Sequence, residues 1–473
     1  MQLLERAISR TDLHPEEPAV IFGDIVLSWG EFFDTAGRLA SLFESRNIRP
    51  GQVVGMTGFS AIMQTVIVTA TWFRAGISAI LPIGHLEAPS VHPDWIVTPV
   101  LLPSVPVSQQ ILLDEVTLQS LGSFTPQLQP TPYPRENSVC HLLFSSGTTG
   151  TVKAIPYTVD RVVNRARVTA ARWRTHRPFM TSLGFRSASG FNTFAESLLS
   201  GTPYFITEDV GQLVTTINRY KVRTLLTSPH DAALLAQRLH KEIPGFIDLT
   251  TIQTTGSLIP NQLRDRLSSL TGAELMNMYG SSEVGFVAIG DPGDSETGYV
   301  GEILDDIDVE VLDPEGNLVD SGVTGELRMR RSDQPQELYG NSLSAHTVFK
   351  NGWYYPGDLG FISGTQLFVL GRTTELLNAG GIKVLAPELE NVLANYAGIS
   401  DAAAVVVNSP EDTMHIAALI VCERDVNIEK LHSYMTHRFG ERAPTRYVTV
   451  AEIPRNANGK IMRSELVALI PQE

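Results

Sequence analysis

The stretch His141-Leu-Leu-Phe-Ser-Ser-Gly-Thr-Thr-Gly-Thr-Val-Lys153 decides how the rest of the chain is read. An apolar run suited to a strand enters a turn of hydroxyls and glycines and leaves at a lysine. Gly147 and Gly150 allow backbone N–H groups to converge on an anion. Ser145, Ser146, Thr148 and Thr149 add hydroxyl donors, and Lys153 adds positive charge. The segment has the chemistry of a phosphate loop. Its glycine spacing does not fit GxxxxGK[ST], which excludes the common ATPase loop. By itself it also fits a plain turn rich in Ser, Thr and Gly.

Outward from this loop, short β-branched runs alternate with helical stretches. VVGMTG precedes AIMQTVIVTATWF, PYFIT precedes VGQLVTTINRY, and TLLTS precedes HDAALLAQRLH. Such alternation predicts βαβ units and largely parallel sheet. The Pro- and Gln-rich stretch 98–134 reads as a connector crossing between two sub-sheets. From about 296 the texture changes to short strands and turns, with Gly316 after Glu315 marking a hairpin-like turn. Beyond Arg372, the helix APELENVLANY, the strands DAAAVVVN and HIAALIVCE and the helix IEKLHSYMTHRF predict a compact α+β domain.

The length, 473 residues, implies two or three domains at roughly 150 residues each. Apolar residues at 43% and charged residues at 18% exclude wholesale disorder and fibrous classes. A net charge of −15 argues against a broad nucleic-acid or anionic-lipid footprint, so any anionic ligand must be held by local donors. Two cysteines, Cys140 and Cys422, are too few for a disulfide framework or a Cys-based zinc site. MQLLERAISR lacks the apolar stretch of a signal peptide, and the uncharged run between Arg49 and Arg74 is broken by Pro50, glycines and Gln64. The expectation is a cytoplasmic protein with no membrane span and no nucleic-acid partner.

Four further segments accompany the loop: Tyr279-Gly280-Ser281-Ser282-Glu283, Tyr355-Pro-Gly-Asp358, GRTTELLNAGGIKV from Gly371, and Pro454-Arg-Asn-Ala-Asn-Gly-Lys460. Together and in this order they resemble the adenylate-forming superfamily, which includes acyl-CoA synthetases, peptide-synthetase adenylation domains and luciferases. The resemblance implies an α/β fold with mixed sheets. It implies a large N-terminal adenylation domain over 1–371 with a small β subdomain about 296–371, a hinge at 372–375, and a small mobile α+β lid over 376–473.

It also implies roles. Tyr279 offers a flat face for adenine, with Gly256 and Ser257 close to the purine and Gly280 and Ser281 in the ATP site. Asp358 accepts from the ribose hydroxyls, Arg372 donates to ribose and phosphate, and Glu283 is the magnesium carboxylate. The 145–150 loop and Ser282 hold phosphate, and Lys153 contributes charge. Lys460 brings positive charge to the α-phosphate when the lid is closed, and the hinge position falls on Thr374, where relatives usually carry Asp or Lys. Val152, Ala154 and Ser282 are smaller departures from the family pattern.

The expected activity is ATP-dependent conversion of a carboxylic acid to acyl-AMP with release of pyrophosphate, followed by acyl transfer. The resemblance places the acid pocket near 181–194, and that segment contains no Asp or Glu where a carboxylate to hold an α-ammonium is expected, so an amino acid is a poor candidate for the activated acid. Phe185, Phe191, Met278, Val284 and Phe286 suggest an apolar or aromatic acid instead. Gly380, Gly381 and Lys383 resemble the approach for a pantetheine thiol, favouring coenzyme A or a carrier protein as acceptor. The alternatives are transfer to an amino acid amine, as in coronafacate-type ligases, and a non-catalytic nucleotide-binding homologue.

Overall fold

The computed structural model describes residues 2–81, 91–146, 152–173, 177–207, 209–242, 249–291, 298–340, 348–408, 414–455 and 461–471. The runs VVGMTG, PYFIT and TLLTS contain strands, at Val53–Met56, Tyr204–Ile206 and Thr224–Thr227. Val53–Met56 pairs in parallel with Ile77–Ile80 on one side and Trp95–Thr98 on the other. All three are buried along nearly their whole length, as strands of a parallel sheet covered on both faces are. The helix Ala61–Phe73 is apolar on nearly every side because it packs between this sheet and the helix Trp29–Ser45. That second helix starts at a capping box, in which Ser28 Oγ accepts from Glu31 N at 3.2 Å and Glu31 accepts from Ser28 N at 2.9 Å.

A sheet of six strands is completed by Gln110–Leu112, Val139–Ser146 and Val152–Thr158. The last two run antiparallel with Ser145 opposite Lys153, so the phosphate-loop segment joins them at one end. The stretch 98–134 is therefore not a crossing between sheets. It supplies Gln110–Leu112 as an edge strand beside Trp95–Thr98 and a short helix, Glu115–Ser120. A three-residue strand is too short to show a period. Its buried Gln110 is tolerated because the amide bonds Leu102 N, Leu102 O and Val105 O at 2.7–2.9 Å.

A second sheet has twelve strands. Its parallel part is Phe179–Thr181, Thr224–Thr227, Thr251–Thr255 and Glu274–Ser281. Gly285–Gly290 then turns back antiparallel, and Tyr299–Ile303, Gln366–Arg372, Asp358–Ser363 and Gly325–Arg330 continue the ladder. The strands of 296–371 are antiparallel, as the turn-rich texture predicts. They are not a separate sheet, because hydrogen bonds run unbroken from them into the parallel strands. Local texture does not reveal which distant strand an edge will pair with.

Residues after 376 build their own packing. Leu376–Ala379 and Ile382–Leu385 form a hairpin, and Ile399–Asn408, Met414–Cys422 and Arg446–Thr449 form a three-stranded sheet. Two apolar clusters there draw only on residues between Leu377 and Ile470. We propose on this ground that the boundary between a large and a small domain falls within 372–375. At the end of the helix Ala386–Ala394, Asn395 accepts two hydrogen bonds from residues before 372. Asn261 N reaches its side-chain oxygen and the Gln262 amide its backbone carbonyl, each at 3.0 Å. Among the described residues no helix is long and apolar enough to cross a membrane.

Candidate active site

Asp358 opens one strand directly opposite Arg372, the last residue of the neighbouring strand, so the antiparallel register alone makes them face each other. Arg372 Nε lies 3.3 Å from Asp358 Oδ1, and the Tyr279 hydroxyl donates to Asp358 Oδ2. Asp358 is 6% exposed, and a carboxylate that deep needs such partners to stay charged. Burial, and then the charge of Asp358, raise the Tyr279 hydroxyl well above the usual tyrosine range and keep it a donor. Burial opposes the charge on Arg372, but Asp358 and Glu375 outweigh it and hold the guanidinium above its ordinary pKa. A carboxylate has about four acceptor positions, so partners of this kind are compatible with accepting ribose hydroxyls as well.

Gly256 has φ +98°, and a Cβ there would meet no atom within 4 Å, so its backbone borders open space beside the exposed Ser257. That suits a flat base lying against the chain. Gly280 has another cause. A Cβ on it would sit 2.3 Å from Gly285 O, so the close approach of two strands demands the glycine.

Glu283, 7% exposed, stands on the turn between Glu274–Ser281 and Gly285–Gly290. The Tyr354 hydroxyl hydrogen-bonds Ser281 and Glu283, and burial first and the Glu283 charge second push it well above the usual range. Magnesium takes oxygen ligands, keeps several waters and binds through one or two carboxylates plus phosphates. One buried carboxylate among hydroxyls fits that donor set. Among the described residues no group of three or more His, Cys, Asp and Glu could hold a metal with protein ligands alone.

Under the same turn lie Arg161 and Tyr157, both buried. Arg161 Nη2 donates to the carbonyls of Ser282 and Glu283, at 2.9 and 2.6 Å, and the Tyr157 hydroxyl donates to Ser282 O at 3.2 Å. Sequence reasoning missed Arg161, Tyr157 and Tyr354. Tyr354 had a weak signal, its place immediately before the Tyr355–Asp358 segment. Arg161 had none, since an arginine in the first turn of a helix is ordinarily solvated.

Gly147, Thr148, Thr149, Gly150 and Lys460, together with the Ser146 side chain, lie outside the described residues. Ser145 and Lys153 are paired across the strands that flank the loop.

The five residues expected to line an acid pocket do not share one lining. Phe185, Phe191 and Val284 are 0–1% exposed in the large core cluster. Phe191 stacks on His141 with ring centres 4.0 Å apart, and Phe185 meets Phe194 edge to face at 5.3 Å. These rings are packed against other rings, which is the simplest use of a buried aromatic. Met278 and Phe286 join a smaller cluster with Phe179, Leu183, Leu226 and Ile289. Met278 sits at the carboxyl end of its parallel strand, where open α/β sheets place their ligands. Beside this cluster, Ser182 Oγ lies 2.8 Å from both Thr227 Oγ1 and Asp231 Oδ2. So a carboxylate does reach this region, from the helix Pro229–Glu242 rather than from 181–194.

Gly380 and Gly381, at φ +64° and +100°, form the two-residue turn of the hairpin after Arg372, and Gly381 N is held by Asn378 Oδ1 at 2.9 Å. The turn explains both glycines, and the exposed Lys383 stands across the hairpin from Asn378. Thr374 is exposed within the short helical turn Thr373–Glu375. Thr373 N and Oγ1 both donate to Gly357 O, at 2.8 and 3.2 Å.

The family described as AMP-binding enzyme matches residues 8–334. The chain is 25% identical over 353 residues to a 4-coumarate–CoA ligase-like protein of Arabidopsis thaliana, covering 71% of this chain and 62% of that one, less than two thirds of its length. It is 22% identical over 506 aligned positions to a fatty acid–[acyl-carrier-protein] ligase of Streptomyces coeruleorubidus, covering 98% and 96% of the two. Among solved structures, the o-succinylbenzoate CoA synthetase of Bacillus subtilis in complex with its acyl-adenylate intermediate superposes with a TM-score of 0.82 at 20% identity. That match covers 99% of this chain and 98% of the other, a likeness in fold. The family match spans more than half of the sequence, and the chain belongs to the AMP-binding enzymes.

Proposed function

We propose that this protein activates a carboxylic acid with ATP, giving an acyl-adenylate and pyrophosphate, and then passes the acyl group to the thiol of coenzyme A or of a phosphopantetheine carrier. The observation that carries this reading is Asp358, buried between Tyr279 and Arg372, with Tyr354 interacting with both it and Glu283. Tyr279 packs against adenine beside Gly256 and Ser257, Asp358 accepts from ribose, and Arg372 donates to ribose and phosphate. The donors of 145–150, with Ser282, hold the phosphates. Glu283, with the hydroxyls of Ser281 and Tyr354 around it, would hold magnesium, which supplies charge neutralisation for the triphosphate.

In the first step a carboxylate oxygen of the acid bonds to the α-phosphorus, and the bond to pyrophosphate breaks. Two anions approach one another there, and Lys153 and Lys460 are the cations assigned to offset the charge that builds up. In the second step a thiolate attacks the acyl carbonyl and AMP departs. Thiol transfer is supported by the activities for which the relatives are named. An apolar or aromatic acid is supported by Met278 and Phe286 in their cluster at the end of the parallel strands. A cytoplasmic location fits two cysteines that are both free.

The test is acid-dependent exchange of labelled pyrophosphate into ATP across a panel of acids, with product masses read after adding coenzyme A and a mixture of amino acids. Exchange followed by an acyl-CoA is the expected result. Exchange followed by an amide would move the acceptor to an amine. Folded protein that binds ATP but shows no exchange with any acid would overturn the activation reading.

A further inference from the structure

Three guanidinium groups, each at least nine-tenths buried, lie against the turn that carries Glu283 and the start of the strand that follows it. Arg161 is 1% exposed, Arg165 is 5% and Arg331 is 4%. Arg161 donates to the carbonyls of Ser282 and Glu283. Arg165, one helical turn on, is paired with Asp333 at 2.5 Å and so close to Gly285 that a Cβ there would lie 2.6 Å from its Nη1. Arg331 donates to Phe286 O at 2.6 Å and lies 3.1 Å from Asp306. Burying three such charges is costly. Closing an antiparallel turn does not require it, since short turns rich in Gly, Asn or Asp do so on their own.

Arg161 differs from the other two in what it holds. The carbonyl of Ser282 belongs to the peptide before the Glu283 Cα, and the carbonyl of Glu283 to the peptide after it. Fixing both peptides fixes the two backbone dihedrals of Glu283, and with them the direction in which its carboxylate leaves the chain. The Tyr157 hydroxyl adds a second donor on Ser282 O, and the Tyr157 ring lies 4.1 Å from the Arg161 guanidinium carbon. Tyr157 and Arg161 flank the end of the strand Val152–Thr158, so the strand that leaves the phosphate loop is tied to the turn that bears Glu283.

We propose that Arg161, backed by Tyr157, is a positioning residue for Glu283, setting the carboxylate for the magnesium that accompanies ATP. The proposal rests on the reading of Glu283 as the magnesium carboxylate. It has a sign that separates it from simple charge. If Arg161 acted only as a cation near Glu283, removing it would strengthen metal binding. If it acts by holding the turn, removing it weakens metal binding.

The experiment is calorimetric titration of ATP at stepped magnesium concentrations for the native protein, Arg161→Met, Arg161→Lys and Tyr157→Phe, with melting curves for each. Loss of a group that orients a metal ligand typically costs 10–100-fold in metal affinity. Arg161→Met should raise the magnesium concentration giving half of the full effect on ATP affinity by about that factor. Arg161→Lys keeps the charge but not the planar fork, and should fall between Arg161→Met and the native protein. Tyr157→Phe should shift it about twofold, with ATP affinity in the absence of magnesium nearly unchanged in all three. A folded Arg161→Met protein with an unchanged or lower magnesium requirement would overturn the proposal. If that variant does not fold, native magnesium dependence in both Arg161→Lys and Tyr157→Phe would overturn it. A native protein that fails at pyrophosphate exchange removes the activation reading and leaves this test standing. A native protein whose ATP affinity ignores magnesium removes the proposal itself.

Discussion

The polar edge formed by Tyr279, Asp358 and Arg372 and the aromatic block formed by Phe185, Phe191 and Phe194 are both buried, but burial means different things in them. In the first, a carboxylate taken from water is held by a hydroxyl and a guanidinium that arrive from other strands, and it needs donors or positive charge in place. In the second, each ring is satisfied by whichever apolar neighbour fills the space, here Trp72, His141 and Tyr204. A buried polar group therefore points to its partners, whereas a buried ring points only to an interior. The contrast is between directional and non-directional stabilisation, and each side of it can be attacked.

The largest effect is expected at Phe191. Phe191→Ala should lower unfolding free energy by about 3–5 kcal/mol, measured by chemical denaturation, because the ring is fully buried among other rings. A stable Phe191→Ala protein with an altered acid preference would show that the ring faces substrate, and the contrast would collapse. Asp358→Ala is next. It should weaken ATP binding by about 1.5–3 kcal/mol in calorimetry through loss of charged hydrogen bonds. Unchanged ATP affinity would mean that the carboxylate serves its protein partners and not the nucleotide.

His141 sharpens the boundary between the two regions, since it is a titratable ring inside the aromatic block. Burial draws its pKa down to about 3, with Ser78 Oγ 2.8 Å from Nδ1, Phe191 stacked on it and Tyr157 edge-on. A histidine whose folded pKa lies below its unfolded value near 6.5 leaves stability intact above that value and takes it away as the pH falls toward 3. The slope attributable to it is at most about 1.4 kcal/mol per pH unit. Denaturation midpoints between pH 6.5 and 5, above most carboxylate titrations, should fall less steeply in His141→Gln than in the native protein. Equal slopes would mean that the imidazole is not excluded from water. The smallest effect is expected at Phe286, half-buried in the cluster that includes Met278. Phe286→Ala should raise the KM for an apolar acid by about fivefold, roughly 1 kcal/mol, and leave the KM for ATP unchanged. Equal shifts in both constants would place Phe286 in the general support of the sheet.

What the sequence disclosed follows the same division. Tyr279, Asp358 and Arg372 were singled out by the resemblance of their segments to the adenylate-forming superfamily, and the structure brings the three side chains together. Helices with strong periodicity were legible too, and Ile428–Phe439 has the bounds that its pattern predicts. The acid-pocket residues were chosen for being apolar, a property shared with every core position, so Phe185 and Phe191 went to the core. The continuity of the twelve-stranded sheet was hidden because pairing is decided between segments far apart in the chain. Arg161 was hidden because nothing local distinguishes an arginine that holds two carbonyls from one that meets water. Asp231 was hidden at Ser182 because it arrives from 49 residues further along the chain.

The contact at Asn395 bears on how the small domain behaves in time. Asn261 and Gln262 reach it with neutral hydrogen bonds, each worth about 0.5–1.5 kcal/mol net of water. Bonds of that size act as a catch that thermal motion releases and resets, because water replaces either partner at little cost. The contact is therefore a weak tie between the residues on either side of 372–375, and not a lock.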